Sequence, residues 1–413
     1  MEINDLILKN REEKYQYIKK YFDDYLVITL KANIPGSNKQ TKEAYFLINY
    51  YDKILFNRGI NKSFELDGYD GPMYVYLLNF DQVTKDQLVE IEENTTLGRF
   101  IDLDIFNKTE ISLNRKIFRK CFICNEPAFV CTRNKTHNIN ELTNYLNKMI
   151  TNELKTIIYN LCNESILQEL NLHPKFGLVT PYSNGSHPDM NYEIMIKGKD
   201  AILDAFVEMF LVGYNSNNLD NIFNEIRHIG KLTEEKMLNI NFGINTYKGL
   251  LFDLGFVVSA VGYQLSNNIN ESIFEIIKKL SLGLKEELDD GIETFGKKAF
   301  REYGIGGAKE EVLNGLPNVK KILNKFNFEN EIEYYKSLID LIINVEDTTL
   351  LKRCGSIENY LEIKERFKSL RLDNLDLMTE KCIKLNLSFG GSADLLIVSI
   401  FLNKLKKVIK INL

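Results

Sequence analysis

The chain has 413 residues, a length at which one hydrophobic core has usually stopped growing, so two domains are expected. Its net charge of -5 argues against a general affinity for nucleic acid or anionic lipid. A charged N-terminus, apolar runs too short and broken to span a bilayer, and six dispersed cysteines favour a cytoplasmic protein without signal peptide, membrane span or disulfide framework.

The first part of the chain mixes helical and strand-like segments. Charged and aromatic residues recur at helical spacing in Arg11–Tyr25, and Lys85–Glu93 has the pattern of a polar helix. Strand propensity is high at Tyr25–Leu30, Met73–Leu78 and Arg99–Phe106. This mixture predicts an α+β domain, which we bound at residues 1–147.

Long segments with helical periodicity dominate the rest of the chain. They are separated by short loops that carry Gly and Asn, and strand signals are few. The segments are Glu153–Leu170, Ala201–Leu211, Asn221–Leu238, Glu331–Val345 and Ser392–Leu405. They predict a larger, mainly α-helical domain over residues 148–413, with no linker rich in Pro, Gly or Ser at the join.

Asp102 and Asp104 are two residues apart in a run that alternates apolar and acidic residues. Alternate side chains of a strand share a face, so both carboxylates can bind one Mg²⁺ and act in phosphoryl or nucleotidyl transfer. The alternative is an edge strand whose two acidic side chains face solvent, because this short pattern is common.

Cys121, Cys124, Cys131 and His137 follow the spacing C-x2-C-x6-C-x5-H. Three thiolates and one imidazole are a set that binds Zn²⁺ tetrahedrally, and such a zinc ion would be structural. Two alternatives stay open. The segment from Arg115 to Lys135, with six basic residues and one acidic residue, forms a basic surface, or the cysteines are small buried thiols.

Polar clusters with glycines interrupt the helices of the second part, and each cluster alone is also compatible with an ordinary loop or helix start. Phosphate oxygens are bound by backbone amides and cations, and Mg²⁺ by carboxylates. The clusters hold His187 and Asp189; Arg227 and Glu234; Asn245, Thr246, Lys248 and Gly249; Asp347, Thr348 and Arg353; and Gly390, Gly391, Ser392 and Asp394. Together they predict a site for a metal and a polyphosphate.

These motifs resemble two known families. Residues 1 to about 150 resemble the citrate lyase holo-acyl-carrier-protein synthase, or apo-citrate lyase phosphoribosyl-dephospho-CoA transferase. The resemblance lies in REEK from Arg11, NIPGSNK from Asn33, LGRFIDLDI from Leu97 and RKCFICNEPAFVCTRNKTH from Arg119. The remainder resembles triphosphoribosyl-dephospho-CoA synthase in PKFGLV, GSHPDM, GINTYKG, GAKEEVLNGLP, EDTTLLKR and SFGGSADLL.

The resemblance implies a bifunctional transferase. The C-terminal domain would join ATP to 3'-dephospho-CoA and release adenine. The N-terminal domain would transfer the product to a serine of the acyl-carrier (gamma) subunit of citrate lyase and release diphosphate. Mg²⁺ would be held by Asp102 and Asp104 in the first domain and by Asp347 and Asp394 in the second.

The resemblance also implies roles for individual residues. Arg99, Asp102 and Asp104 would be catalytic in the first domain, and Glu234 or Asp189 would be the base in the second. Residues expected to bind ATP or the other substrate are Lys175, Gly177, His187, Asn245, Thr246, Lys248, Gly249, Glu311, Asp347, Thr348, Arg353, Gly390, Gly391, Ser392 and Asp394.

Some motif positions depart from the family pattern, among them Phe176, Tyr247 and Phe389. The alternative is therefore a single-activity transferase, or an assembly factor that binds the carrier protein and has a degenerate C-terminal domain.

Overall fold

The computed structural model describes residues 2–108, 118–284 and 295–413. The chain divides into two compact units. The N-terminal unit comprises Met1–Thr156 with Lys407–Lys410, and the helical unit comprises Ile157–Lys406 with Ile411–Leu413. Arg115, which belongs to the predicted basic segment, lies outside the described residues.

Within the described residues, the N-terminal unit is built on a four-stranded antiparallel sheet of order β2-β3-β1-β4. The strands are β1 (Leu26–Ala32), β2 (Phe64–Leu66), β3 (Met73–Leu78) and β4 (Ile101–Phe106). The helices are α1 (Ile3–Lys19), α2 (Lys42–Asn57), α3 (Lys85–Asn94), α4 (Ala128–Asn134) and the start of α5 (Ile139–Leu170), with a 3-10 turn at Gly98–Phe100.

One face of this sheet combines an apolar cluster with polar residues. Val27, Met73 and Val75 pack there against Ile18, in the last turn of α1, and Phe22, just after it. Strand β1 continues on the same face with Thr29 and Lys31, because alternate residues of a strand point to the same side. The polar end of this face is therefore anchored by a packed core.

Helix α3 covers the outer edge of β4. Its N-terminus is closed by a capping box between Thr84 and Gln87, which satisfies backbone groups that the first helical turn leaves free. At the other end, the buried Glu92 carboxylate accepts a hydrogen bond of 2.8 Å from the Leu103 amide. The Glu92 side chain thus satisfies a backbone amide at the free edge of β4 and fixes the position of the strand.

The helical unit continues from α5 through a series of helices joined by short loops. They are α6 (Tyr192–Asn215), α7 (Leu219–Ile240), α8 (Lys248–Asn267), α9 (Ile273–Leu280), α10 (Phe295–Tyr303), α11 (Gly307–Leu313), α12 (Pro317–Lys325), α13 (Glu331–Asn344), α14 (Thr348–Cys354), α15 (Ile357–Lys368), α16 (Leu375–Lys384) and α17 (Gly390–Val408).

Helices α6 and α8 approach each other closely because glycines stand at their contact. A Cβ atom on Gly213 would lie 2.0 Å from the carbonyl oxygen of Ser259, and one on Gly262 would lie 2.3 Å from that of Phe210. Any side chain at either position would push the two backbones apart. This packing sets the position of α8, whose first residues reach the candidate site.

By length and composition alone, α8 is apolar enough to cross a membrane, which corrects the expectation that the chain has no such segment. However, 78% of the apolar stretch of this helix is buried inside the unit. Burial on all sides is typical of a central core helix, and it explains why α8 is apolar around its circumference.

The architecture confirms the predicted fold class, an α+β region followed by a larger, mainly helical one. The boundary predicted between residues 147 and 148 falls within α5, and the compact units divide along the same helix, at Thr156. One continuous helix across the division explains why no linker composition marks it.

Candidate functional site

In the N-terminal unit, Asp102 and Asp104 lie on the same face of β4, as their spacing predicts. In the pairing of β1 with β4, Lys31 stands opposite Asp102 and Thr29 opposite Asp104. Burial and the neighbouring Asp102 carboxylate raise the pKa of Asp104. Two adjacent carboxylates with partly uncompensated charge are a donor set that fits a hard divalent cation.

Cations surround these two carboxylates. A guanidinium nitrogen of Arg119 lies 2.8 Å from both Asp102 and the buried Glu92. The Nζ of Lys85 lies 3.8 Å from Asp104 and donates a 2.6 Å hydrogen bond to the carbonyl of Leu103. These contacts hold the two carboxylates in place, and both side chains stay partly exposed among the described residues.

Arg99, predicted to be catalytic, does not bind either aspartate in this structure. Its guanidinium donates to Asn125 Oδ1 at 2.8 Å and to the carbonyl oxygen of Cys121 at 3.3 Å. It therefore holds the cysteine-bearing segment beside the strand that carries Asp102.

The REEK and NIPGSNK motifs meet at one end of the N-terminal unit. Arg11 binds Asp70 at 2.7 Å, and Lys14 donates to the carbonyl of Gly71 at 2.5 Å. The Nζ of Lys39 closes its own turn by donating to the carbonyl of Ile34 at 2.5 Å. Burial lowers the pKa of both lysines. In the structure, these cations hold the two motifs together through contacts within the unit.

In the helical unit, the separated motifs converge on one cavity of about 260 Å³. It lies where α8 and α17 begin. Of the predicted residues, Lys175, His187, Asn245, Thr246, Lys248, Gly249, Glu311, Asp347, Thr348, Gly390, Gly391 and Asp394 line it. The cavity continues into a cleft of about 1260 Å³, which Glu234 and Arg353 line together with His187 and Lys248.

Acidic residues outnumber the basic Lys175 and Lys248 in the lining of the cavity, whereas basic residues predominate in the cleft. The acidic residues that line the cavity are Glu169, Asp253, Glu311, Glu346, Asp347 and Asp394. The basic residues that line the cleft are Arg227, Lys231, Lys248, Lys297, Lys309, Lys352 and Arg353, with Glu234 as the acidic one. An acidic cavity suits a metal ion or a cationic sugar, whereas a basic cleft suits phosphate groups.

Asp253, which sequence analysis did not select, is the cavity's most deeply buried carboxylate. It is 1% exposed, and its Oδ1 finds no hydrogen-bond partner in the described part of the chain. Burial, with further contributions from Asp394 and Glu311, raises its pKa well above the usual value. The signal in the sequence was an aspartate inside the apolar run Leu250–Val261.

Asp394 lies beside it, at the first turns of α17. A Cβ atom on Gly249 would lie 2.1 Å from Asp394 Oδ2. Any residue other than glycine at this position would therefore displace the carboxylate. Burial, and then the charges of Glu169 and Asp347, raise the pKa of Asp394. Asp253 is buried and Asp394 is half-buried. Carboxylates removed from water in this way need a cationic or protonated partner, and their oxygens fit Mg²⁺.

Asp347 has a structural role that corrects its predicted role as a metal ligand. Its Oδ1 accepts hydrogen bonds from the amides of Thr349 and Leu350 at 2.9 and 3.1 Å. Its Oδ2 accepts from the amide and hydroxyl of Ser392 at 3.0 and 3.2 Å. Four donors occupy the acceptor positions of a carboxylate, so Asp347 caps α14 and ties it to α17.

The same contacts correct the prediction for Ser392, whose amide donates to Asp347 and is therefore not available to a phosphate. We expect Asp347→Ala to lower the free energy of unfolding by about 2 kcal/mol or more, because a cap and buried hydrogen bonds are lost. Asp347→Asn, which keeps one acceptor oxygen, is the matched comparison. Chemical denaturation measures both, and an unchanged midpoint for Asp347→Ala would contradict the capping role.

Lys248 and Glu234 form an ion pair in the cleft. The Nζ of Lys248, the first residue of α8, lies 2.5 Å from Glu234 Oε1 on α7. Arg227, one candidate partner of Glu234 on its own helix, has its guanidinium 5.6 Å from the centre of the Phe252 ring. The amide of Lys248 is capped by Asn245 Oδ1 at 3.1 Å.

His187 is buried and connects the cavity with the cleft. Its Nε2 lies 3.0 Å from the Ser388 hydroxyl, and its Nδ1 lies 3.4 Å from a guanidinium nitrogen of Arg353. Burial and the charge of Arg353 lower the pKa of His187. A neutral imidazole therefore orients Arg353, which also donates to Asn386 at 2.8 Å.

Besides Ser392, two predicted residues of the helical unit line neither the cavity nor the cleft. Asp189 is exposed on its loop and lines neither the cavity nor the cleft, which argues against its predicted role as the base. Gly177 has a positive φ of 81°, and a Cβ atom there would lie 2.5 Å from the carbonyl oxygen of Leu387. It serves loop packing rather than the predicted substrate contact.

Lys175 and Glu311 line the cavity with their charged groups already paired. The Nζ of Lys175 lies 2.8 Å from Glu169 Oε1 and donates to the Glu169 carbonyl, also at 2.8 Å. The Glu311 carboxylate accepts from the amide and the side chain of Asn318 at 2.8 and 2.9 Å. Both residues therefore shape the wall of the cavity through their own partners.

Comparison with known proteins supports the division into two functional regions. The family model CitG, ATP:dephospho-CoA triphosphoribosyl transferase, matches residues 156–412. The model CitX, apo-citrate lyase phosphoribosyl-dephospho-CoA transferase, matches residues 2–153. Protein CitXG of Haemophilus influenzae is 30% identical to this chain, over 96% of the chain and 95% of that protein. The chain belongs to the CitXG family.

Other relatives agree with this membership. Protein CitXG of Leuconostoc mesenteroides subsp. cremoris is 28% identical over 97% of this chain and 96% of its own length. The 2-(5''-triphosphoribosyl)-3'-dephosphocoenzyme-A synthase of Haemophilus ducreyi is 28% identical over 68% of this chain and 98% of that protein. The CitXG assignment confirms both resemblances inferred from the motifs and makes the chain a transferase of citrate lyase prosthetic-group synthesis.

Proposed function

We propose that the helical unit joins ATP to 3'-dephospho-CoA and releases adenine. The observation that carries this proposal is an acidic cavity that opens into a basic cleft. Both substrates carry phosphates that suit the cleft, and the reaction builds positive charge on a ribose that suits the cavity. The match of this region to the ATP:dephospho-CoA transferase model supports the choice of substrates.

In the proposed reaction, a ribose hydroxyl oxygen of dephospho-CoA bonds to the anomeric carbon of ATP while the bond from that carbon to adenine breaks. The hydroxyl proton passes to Glu234, and the departing adenine takes up one proton from water, so that no net proton is released once Glu234 returns its proton to solvent. The cavity carboxylates stabilise the positive charge on the sugar. Asp253 and Asp394 would hold Mg²⁺, which offsets the negative charge of the triphosphate when bound.

We propose that Lys248 binds the triphosphate, with Arg353 and the other cations of the cleft. Lys248→Ala is expected to raise the ATP concentration for half-maximal adenine release about tenfold, because one charged hydrogen bond to phosphate is lost. Steady-state kinetics measure this change. Lys236→Ala, an exposed lysine of α7, is the control, and equal ATP dependence in the two variants would place the phosphates elsewhere.

Glu234→Gln tests the proposed base separately. We expect slower adenine release at saturating ATP, by about 100-fold, with little change in the ATP concentration dependence. The amide keeps the size of the side chain but cannot accept the proton. A normal maximal rate in this variant would remove Glu234 from proton transfer.

We further propose that the N-terminal unit transfers the product to a serine of the acyl-carrier (gamma) subunit of citrate lyase. The serine oxygen bonds to the phosphorus nearest the ribose, the bond to the leaving diphosphate breaks, and the serine proton is released. Asp102 and Asp104 would hold Mg²⁺, which offsets charge on the phosphates when bound. Lys31 and Arg119, beside Asp102, would contact the phosphates.

Two product assays test the proposal. The full chain with ATP, Mg²⁺ and dephospho-CoA should release adenine without any carrier protein. Diphosphate should appear only after the carrier is added. A chain that releases no adenine from ATP and dephospho-CoA, but releases diphosphate from preformed triphosphoribosyl-dephospho-CoA and the carrier, would instead be a single-activity transferase.

A further inference from the structure

Four potential metal ligands, none of them one of the two aspartates, converge in the N-terminal unit. The sulfur atoms of Cys121, Cys124 and Cys131 and a ring nitrogen of His137 all lie within 4.8 Å of one another. The Sγ atoms of Cys124 and Cys131 are 3.3 Å apart. Tetrahedral zinc, with Zn–S bonds of about 2.3 Å, needs sulfur atoms about 3.8 Å apart, so small shifts complete the geometry.

The backbone around these residues forms a compact knuckle. Lys120 and Pro127 form an isolated β-bridge, and the Cys121 amide donates a 2.6 Å hydrogen bond to the carbonyl of Glu126. Asn125 turns the chain with a positive φ of 61°. This turn places Cys121 and Cys124 on the same side of the segment, as a pair of metal ligands requires.

The second pair of ligands is presented by α4 and the turn after it. Cys131 lies on α4. Lys135 adopts a left-handed conformation, and the Thr136 amide donates to the carbonyl of Cys131 at 3.1 Å. The chain thereby folds back and returns His137 to the cysteines.

The imidazole of His137 is oriented toward the cluster. Its Nδ1 lies 3.4 Å from Oε1 of Glu141, which belongs to the first turn of α5. Its Nε2 is buried and makes no hydrogen bond of ordinary geometry with the described residues. A carboxylate that holds one ring nitrogen while the other faces a metal is a common arrangement at zinc sites.

We infer that Cys121, Cys124, Cys131 and His137 bind one Zn²⁺ ion. Three thiolates and one imidazole fill a tetrahedral coordination shell and leave no position for substrate, so the ion is structural. Such an ion fixes a segment that has little hydrophobic core of its own.

The zinc knuckle has a positioning role for the aspartate site. Arg119, which precedes Cys121, reaches Asp102 and Glu92 at 2.8 Å. Arg99 reaches back to the knuckle through Asn125 and the Cys121 carbonyl. Zinc loss would release Arg119 from its place beside Asp102, and Arg99 from its contacts with the knuckle. This role rests on the proposed transfer reaction, whereas zinc binding itself does not.

Metal analysis of the full chain, purified from zinc-supplemented cells without chelators, tests the inference. We expect about one zinc per chain in the wild type, and less than a tenth of that in Cys131→Ser. Cys354→Ser, a cysteine of the helical unit, should keep its zinc. Cobalt in place of zinc should give the strong near-ultraviolet absorption of cobalt–thiolate bonds in the wild type and not in Cys131→Ser.

A second variant, His137→Gln, keeps the test decisive if Cys131→Ser fails to fold. In this variant we expect at least tenfold weaker zinc retention under chelator competition, slower transfer to the carrier and unchanged adenine release. Zinc-free wild-type protein with reduced thiols, a Cys124–Cys131 disulfide, or equal zinc in all variants would overturn the inference. Zinc present with no transfer activity would leave the metal site standing and reject the proposed transfer reaction instead.

Discussion

Asp102→Asn and Asp104→Asn should each lower transfer to the acyl-carrier subunit about 100-fold or more and leave adenine release unchanged. The two carboxylates lie on one face of β4, and Asp102 neighbours Arg119 and Lys31. Replacing either carboxylate with an amide removes a negative charge that a hard cation needs, while the shape of the side chain is kept.

Carrier mass and adenine release, followed across a range of Mg²⁺ concentrations, measure this effect. The variants should require more Mg²⁺ for any residual transfer. Glu65→Gln is the control, because Glu65 is an exposed acidic residue of the same sheet that pairs with Lys62 at 3.0 Å. Wild-type transfer at normal Mg²⁺ in both aspartate variants would remove these residues from the site.

Asp253→Asn should lower adenine release about 100-fold or more and make the substrate-free protein more stable. The carboxylate is buried, and its Oδ1 finds no hydrogen-bond partner among the described residues. An ionised group in this position costs free energy unless a cation joins it. Function and stability thus oppose each other at this residue.

The pH dependence of stability gives Asp253→Asn a second readout. Burial raises the pKa of Asp253 in the folded protein. The folded state therefore binds a proton that the unfolded state has already lost, and stability declines as pH rises from about 4 toward the folded pKa. Asparagine cannot ionise, so the advantage of the variant in melting temperature should grow over this pH range.

Asp204→Asn, an exposed aspartate of α6, is the matched control for both readouts. It should change neither adenine release nor the pH dependence of the melting temperature. Two results would contradict the account of Asp253. One is a normal rate of adenine release in Asp253→Asn, and the other is a melting temperature that falls below that of the wild type as pH rises.

The sequence was informative about strands and the larger helices because their periodicities are strong. β3 spans Met73–Leu78 as predicted, and β4 alternates buried and partly exposed residues as the spacing of its aspartates requires. The first helix is displaced, since α1 ends at Lys19 and the following turns bury Phe22 before β1. Local pattern does not show where a chain leaves a helix to join a sheet.

Helix α2 was not predicted from the sequence. Its residues include several aromatics that favour strands, such as Tyr45, Phe46 and Tyr50. Packing of one face, with Leu47, Ile48 and Leu55 buried, determines the helix. Tertiary packing of this face outweighs the strand propensity of the aromatic residues.

The candidate site was partly predictable for a different reason. Each motif places polar groups at a loop or helix start, but the distances between motifs separated by many residues follow from packing alone. Asp347 shows the consequence, because its motif predicts a metal ligand whereas its contacts with Ser392 and the α14 amides make it a cap. Asp253 shows the opposite error: it was not selected because it lies in an apolar run, yet it lines the cavity.

The mass of the acyl-carrier subunit, after incubation with this protein, ATP, Mg²⁺ and dephospho-CoA, tests the central claim most directly. We predict that the carrier gains the mass of one phosphoribosyl-dephospho-CoA group on a serine, and that omitting ATP or dephospho-CoA prevents the gain. Asp102→Asn should prevent it as well, while adenine still accumulates. An unmodified carrier in the complete mixture, from a folded protein that releases no adenine, would contradict the proposal that this chain builds and attaches the group.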